Sequence, residues 1–393
     1  MNKITAPVAR NRAVGSVSWE RLRELAGFRA EHGCAISLYV GFDPSSTPTI
    51  PDAMTKINSL LDEAQKSGAA TRRELTHDQK RGLQADFERL RRWLTTEFTR
   101  NGTNGVAIFS AGLDNFWSVV TVASVLPDKV QVGPDFYLTP LVPLLGQGDG
   151  ALVVVVGREK GVILRLRESR LEELQDLTEE QPGRHDQGGW SQARFQRHID
   201  ELADKHLRAV AEELDRHVRA GTADRIVIVC PEETKGEFED MLTHEARKAV
   251  VGWAAGEQYA APAELLAIAE PWLEQARVAK ETAALARWQE EAGRNGRAAS
   301  GWDQTLEAAS DGRIDLLLFA QGAQKIAYQC PQCGRASMSN GACPLDGTAM
   351  EQRDDAADVA VHQTLAHGGS ALALARERRE LGPVEGIAAL LRF

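Results

Sequence analysis

The stretch Gly188-Gly189-Trp190-Ser191-Gln192-Ala193-Arg194-Phe195-Gln196-Arg197 decides how the chain is read, because it joins a polar loop to the start of a long amphipathic helix. Residues 178–189 upstream are polar and glycine-containing, as loops are. Residues 191–220 downstream place Phe195, Ile199, Leu202, Val210, Leu214 and Val218 on one helical face. Paired glycines permit backbone shapes and close approaches barred to other residues. Arg184, Arg194 and Arg197, beside His185 and His198, can meet RNA phosphates. Trp190 can stack on an exposed base, or, more plainly, staple the helix start. Alone, a Gly-Gly pair before a helix is ordinary structure; its surroundings decide.

Working outward, RIVIVC (225–230) reads as a central strand covered on both faces. On the other side of the loop, ALVVVV and GVILRLR read as a hairpin that opens after the Gly-rich break GQGDGA (146–151). Before that break come a helix over 18–32, the buried strand AISLYV (35–40), a Pro-rich loop, helices over 52–67 and 77–100, and the strands VAIFSA and FWSVVTVAS. The chain before Ser18 reads as a loose start. After the middle region, an Ala- and Glu-rich helix over 261–289 leads to GRNGRAASG, an exposed loop or hinge. A helix over 302–310, the strand IDLLLF, a cysteine cluster, a helix over 354–367, strand-like ALALARE and the final GIAALLRF complete the chain. The expectation is an α/β protein of three domains, 1–147, 148–292 and 298–393, the last carrying an insertion over 328–352.

With 43% hydrophobic and 26% charged residues among 393, the composition is that of ordinary globular protein. The net charge of −10 argues against a protein that coats nucleic acid nonspecifically. Local basic stretches remain at 72–100 and 184–208, for which a solvated helix face is the plainer reading. No apolar run reaches bilayer length and no secretory pattern opens the chain, so a cytoplasmic location without a membrane partner is expected. No phosphate-cradling loop of the Walker type occurs, so no bound nucleotide is expected.

Three of the five cysteines cluster late in the chain, which points to metal rather than to a disulfide framework. Cys34 and Cys230 lie at or inside apolar strands and read as core thiols. Cys330-Pro-Gln-Cys333-Gly and Ala-Cys343-Pro-Leu-Asp346-Gly have the two-knuckle outline of a zinc ribbon. Cys330, Cys333, Cys343 and Asp346 are the expected ligands of a structural zinc, with His362 or His367 as substitutes for the aspartate. A degenerate, metal-free knuckle is the alternative.

The wording GG-W-S-Q-A-R-F-Q-R resembles the Gly-Gly-Gln loop and following helix start of class-1 release factors in the archaeo-eukaryotic release factor and Pelota superfamily. Gly188, Gly189, Ser191, Arg194, Phe195 and Arg197 align without a gap, while Trp190 stands where that family carries its catalytic glutamine. Gly189-x-x-Gln192 matches instead the Gly-x-x-Gln form of related peptidyl-tRNA hydrolases in ribosome quality control. SLYVGFDPS, FYLTPLVPLL and GIAALLRF also look like bacterial members of this superfamily.

The resemblance implies a release-factor-like N-terminal domain, a ribonuclease H-like middle domain, and a last domain like kink-turn-binding ribosomal proteins with a zinc-ribbon insertion. It further implies a ribosome-associated protein whose partners are ribosomal RNA, peptidyl-tRNA and a translational GTPase. The implied reaction is ester hydrolysis of peptidyl-tRNA in ribosome rescue or quality control, with Gln192, Gly188 and Gly189 catalytic and Trp190, Ser191, Arg184, Arg194 and Arg197 on RNA. The stop-codon elements Asn-Ile-Lys-Ser and Tyr-x-Cys-x-x-x-Phe are missing, which removes codon-specific termination. Two other readings stay open: a non-catalytic binder of the ribosomal A site, and an RNA-binding adaptor acting through its last domain.

Overall fold

In the computed structural model, the described residues are 12–15, 17–43, 50–70, 75–99, 103–145, 150–167, 170–178, 191–256, 260–374 and 379–393. They form two compact units, residues 1–145 together with 283–393, and residues 146–282.

The first unit begins with β1 (Arg12–Gly15), α1 (Trp19–Ala26), β2 (Ala35–Gly41), α2 (Ile50–Ala70), α3 (His77–Thr96), β3 (Gly105–Ala111), β4 (Phe116–Val122) and β5 (Lys129–Gly133). The strands lie in the order β1-β4-β3-β2-β5, with β1 parallel to β4 and the other pairs antiparallel. Every residue of β2 and β3 is buried, as befits central strands. Their side chains alternate between two cores. Ile36, Leu38, Val40, Val106 and Ile108 share a core with Ile57, Leu61, Phe87 and Leu90 of the two long helices. Tyr39, Ala107 and Phe109 belong to a different core, described below.

Two expectations in this region change. The helix expected over 18–32 stops at Ala26: Ser18 caps its start, and the Gly27 N–H closes it on the Arg23 carbonyl. The loose start contains a strand, β1, with no apolar alternation to reveal it. By contrast, α3 carries a legible start signal, a capping box in which Thr76 and Gln79 exchange side-chain to backbone hydrogen bonds.

The second unit contains β6 (Ala151–Val156), β7 (Gly161–Arg167), β8 (Arg170–Asp176), α4 (Ser191–Arg219), β9 (Arg225–Val229), α5 (Glu232–Met241), α6 (His244–Ala249), β10 (Val250–Ala254) and α7 (Pro262–Gly293) as far as Thr282. The sheet order is β10-β9-β6-β7-β8, parallel across β10-β9-β6 and antiparallel beyond. One face of β6 and β9 (Leu152, Val154, Ile226, Ile228) packs with Leu207, Val210 and Leu214 of α4 and Phe238 of α5. The other face (Val153, Val155, Val227, Val229) packs with Leu265, Ala269 and Leu273 of α7. Covering on both faces is what makes RIVIV an unbroken apolar run.

The first unit resumes at Ala283, in the last turns of α7. It continues with β11 (Ala298–Ser300), α8 (Gly301–Ser310), β12 (Ile314–Ala320), β13 (Ala327–Gln329), β14 (Ala336–Ser337), β15 (Glu351–Arg353), α9 (Ala356–Ala366), β16 (Ser370–Leu374) and β17 (Ile387–Leu391). One sheet runs β11-β17-β12-β16 and a small one runs β14-β13-β15. Part of the expected GRNGRAASG loop is therefore strand, because Ala298–Ser300 pairs antiparallel with Leu390, Ala389 and Ala388. Tyr39, Phe109 and Phe136 share one core with Trp302, Leu306, Phe319, Val361 and Leu391, so early and late segments of the chain bury each other. Among the described residues no helix is long and apolar enough to cross a membrane.

Candidate functional site

Gly188, Gly189, Trp190 and Arg184, with His185, lie outside the described residues. Ser191, Gln192 and Arg194 open the first turn of α4, and Arg197 and His198 are exposed on the next. The first turn of α4 carries no acidic residue. Free backbone N–H groups at such a helix start favour a negatively charged neighbour. What holds α4 in place is its buried side, where Ala203, Leu207, Val210 and Leu214 meet the sheet. His206 adds to that side: it is 1% exposed, and a Cβ on Gly161 would stand only 3.0 Å from its ring carbon Cε1. Glycine at 161 is what lets the imidazole lie against β7.

The cysteine cluster is built by two tight turns. In the first, the Cys330 N–H donates to the Arg335 carbonyl (2.8 Å) and the Gly334 N–H to the Cys330 carbonyl (3.0 Å). In the second, the Cys343 N–H donates to the Thr348 carbonyl (2.8 Å) and the Gly347 N–H to the Cys343 carbonyl (2.9 Å). Gly334 and Gly347 sit at φ 79° and 73°, where a side chain would strain each turn. The first turn links β13 to β14, and Ala342 pairs antiparallel with Ala349 across the second. Their ligand atoms converge: the Sγ atoms of Cys330, Cys333 and Cys343 and a carboxylate oxygen of Asp346 all lie within 4.8 Å of one another.

Closer separations in this group are 3.4 Å for Cys330 Sγ to Asp346 Oδ2 and 3.4 Å for Cys333 Sγ to Cys343 Sγ. Tetrahedral zinc at ordinary bond lengths spaces its ligands roughly 3.5–3.8 Å apart, so the donor set fits a single ion of that kind. The backbone N–H and hydroxyl of Thr348 hold the Asp346 carboxyl well below its ordinary value, keeping it anionic. Burial pushes the Cys343 thiol up, but the N–H groups of Leu345 and Asp346 outweigh it and draw it below the ordinary range. The Arg335 N–H draws the Cys333 thiol down, but desolvation and its neighbours Cys343, Cys330 and Asp346 outweigh it and push that thiol up to about 12. A divalent cation would balance the negative charge that Asp346 and Cys343 favour. His362 and His367 are placed elsewhere: His367 Nδ1 pairs with the Gln363 carbonyl at 2.9 Å, and His362 faces Asp135, Arg353 and Arg29.

A third group of polar residues, which sequence reading missed, joins early and late segments within the first unit. Asp358 on α9 is 6% exposed, and its Oδ1 accepts from the N–H of Leu138 (2.7 Å), the N–H of Thr139 (3.0 Å) and the Thr139 hydroxyl (2.9 Å). The Tyr137 hydroxyl donates to Asp355 Oδ2 at 2.7 Å, the Tyr39 hydroxyl donates to the Tyr137 carbonyl, and Arg353 pairs with Asp135. Burial, aided by the charge of Asp355, pushes the Asp358 carboxyl up to about 7. The one available signal was the acidic run before α9, where Asp355 caps the helix by accepting from Ala357 and Asp358 N–H.

Comparison with known proteins places these features. The family model described as Bacterial archaeo-eukaryotic release factor family 10 matches residues 137–277, which take in Gly188, Gly189 and all of α4. Peptide chain release factor subunit 1 of Archaeoglobus fulgidus is 25% identical over 404 residues, covering 95% of this chain and 96% of that protein. Over these residues, and in its likeness to release factor subunit 1, this chain is similar to the archaeo-eukaryotic release factor and Pelota superfamily. Another superfamily relative, peptide chain release factor subunit 1 of Methanopyrus kandleri, is 30% identical over 207 residues, covering 51% of this chain and 50% of that protein. The crystal structure of Archaeoglobus fulgidus Pelota overlaps 76% of this chain and 81% of its own at 18% identity, with a TM-score of 0.32.

Proposed function

We propose that this chain is a ribosome-associated, release-factor-like protein that hydrolyses peptidyl-tRNA in ribosome rescue or quality control without reading a stop codon. The observation that carries the reading is the sequence GGWSQ, whose Ser191 and Gln192 open α4 inside the residues matched by the release-factor family model. Similarity to release factor subunit 1 over 95% of the chain supports the ribosome as partner.

In this reading, Gly188 and Gly189 let the loop backbone approach the peptidyl-tRNA ester closely. Gln192 positions the attacking water through its amide. A glutamine amide does not take up a proton near neutral pH, so it orients rather than acts as a base. Arg184, Arg194 and Arg197, with Ser191, meet RNA phosphates, and Trp190 stacks on an exposed base. A translational GTPase is the expected second partner, and the cytoplasm the expected location. Zinc bound by Cys330, Cys333, Cys343 and Asp346 supplies a structural cross-link between two turns and takes no part in the hydrolysis. The three-domain division, with ribonuclease H-like and kink-turn-binding ribosomal-protein-like second and third parts, belongs to the same proposal.

The test is incubation of purified protein with ribosome complexes carrying labelled peptidyl-tRNA, reading binding and peptide release together for wild type, Gln192→Ala and Gly189→Ala. Release by wild type that falls by at least about tenfold in both variants, with binding retained, is expected. Because Trp190 stands at the usual glutamine position, a second reading is a non-catalytic occupant of the ribosomal A site. Tight binding without release by wild type would establish that reading instead.

A further inference from the structure

The four ligands of the cysteine cluster fall into two pairs. Cys330 Sγ faces the carboxylate of Asp346, at 3.4 and 3.6 Å from its two oxygens, while Cys333 Sγ faces Cys343 Sγ at 3.4 Å. Cys330 is 0% and Cys343 3% exposed, whereas Cys333 is open to solvent. A dissolved oxidant therefore meets one sulfur of the cluster first, and the sulfur in contact with it is already in place. Of the remaining cysteines, Cys230 is buried with its thiol pushed up to about 11 by desolvation, and Cys34 is partly buried against the core of the long helices.

We propose that Cys333 and Cys343 form an oxidant-responsive pair, which closes to a disulfide on exposure to hydrogen peroxide and thereby releases the bound cation. The release rests on the zinc reading above, but formation of the bond does not. The Cys333 thiol gives up its proton to solvent, its sulfur attacks one peroxide oxygen, the O–O bond breaks, and hydroxide leaves, giving a sulfenic acid on Cys333. The Cys343 thiolate then attacks the Cys333 sulfur, the S–O bond breaks, and a second hydroxide leaves. Two electrons pass from the two sulfurs to peroxide, and both hydroxides take up protons from solvent to become water. Cys330 and Asp346 are left as the only donors, too few to hold a four-coordinate structural ion.

The experiment uses full-length protein loaded with zinc. Bound metal is first counted by elemental analysis, which judges the zinc reading by itself. Hydrogen peroxide is then titrated in with a chromogenic chelator present, and parallel samples are alkylated, digested without reductant and mapped by mass spectrometry. The expected result is a dominant Cys333–Cys343 bridge, about one zinc released per bridge, and reversal of both by dithiothreitol. Cys330→Ser should still form the same bridge, and Cys333→Ser should form none, with circular dichroism reporting that each variant is folded. A dominant bridge to Cys330, further oxidation of Cys333 without a bridge, or cation retained after bridging would overturn the proposal. If zinc does not load, the zinc reading fails, and the bridge must still form between Cys333 and Cys343 in the metal-free chain.

Discussion

Asp358 is the residue on which the join within the first unit turns, and its titration has a definite sign. Folded, its carboxyl loses its proton at about 7, pushed up by burial and by Asp355. Unfolded, an aspartate does so near ~3.9. Between those values the folded chain holds the additional proton, so this group's stabilisation is full below pH ~4 and is lost as pH rises to about 7. The groups facing it are Asp355, Asp135, Tyr39 and Tyr137. Asp358→Asn keeps an acceptor for Leu138 and Thr139 without the charge. Urea unfolding at pH 5 and pH 7 should show the variant gaining on wild type as pH rises, by on the order of a few kcal/mol at most. An equal gap at both values would remove the carboxyl from the pH response. Asp358 was not legible in the sequence because its acceptor role depends on Leu138, 220 positions earlier. The cysteine cluster could be read, since its ligands lie within one short segment and the spacing of each turn announces the geometry.

At the scale of elements, legibility followed length and periodicity. The helix α4 and the strands β6, β7 and β9 stand out because each repeats its apolar positions over several turns or runs without a break. The strand β8, RLEELQD, has three acidic residues, has no buried position and exists through its pairing with β7. The short β10 pairs with β9 in parallel, a contact no local pattern reveals. The small sheet β14-β13-β15 has strands of only two or three residues, so local propensity contributes little to its order. If the proposed zinc binds Cys330, Cys333, Cys343 and Asp346, the sheet's stability should come from that ion, which would tie the two turns together. Removing zinc with a strong chelator is therefore expected to raise amide exchange in residues 327–353 at least about tenfold, while β12, β16 and β17 keep their protection. Unchanged exchange across 327–353 would mean that the turns stand without metal. The helix α3 supplies a separate check of a local signal: Thr76→Ala removes its capping box and should cost about 1 kcal/mol in thermal or urea unfolding.

At the scale of the whole molecule, the first unit is joined by burial between segments far apart in sequence. Leu306, fully buried on α8, sits in the core that also holds Tyr39, Phe109 and Phe136. Leu306→Ala should therefore cost about 2–5 kcal/mol. It should loosen β2 and β3 as well as α8 in hydrogen exchange, whereas a loss confined to residues 298–393 would show that the two parts fold independently. Sequence reading found the α/β character of each part through its strands and helices. It did not find the shared core, because a buried Tyr39 looks the same whether its neighbours come from 70 or 270 residues away.

That shared core also sets a sequence of events in time. A ribosome synthesising this chain delivers residues 1–145 well before their partners, residues 283–393. The second unit, contiguous over residues 146–282, can complete its sheet while the sheet face bearing Tyr39 and Phe109 still waits for Trp302 and Leu306. The segment delivered before the second unit is thus completed only after it, and during that interval it presents an apolar surface to whatever chaperone stands near the exit tunnel.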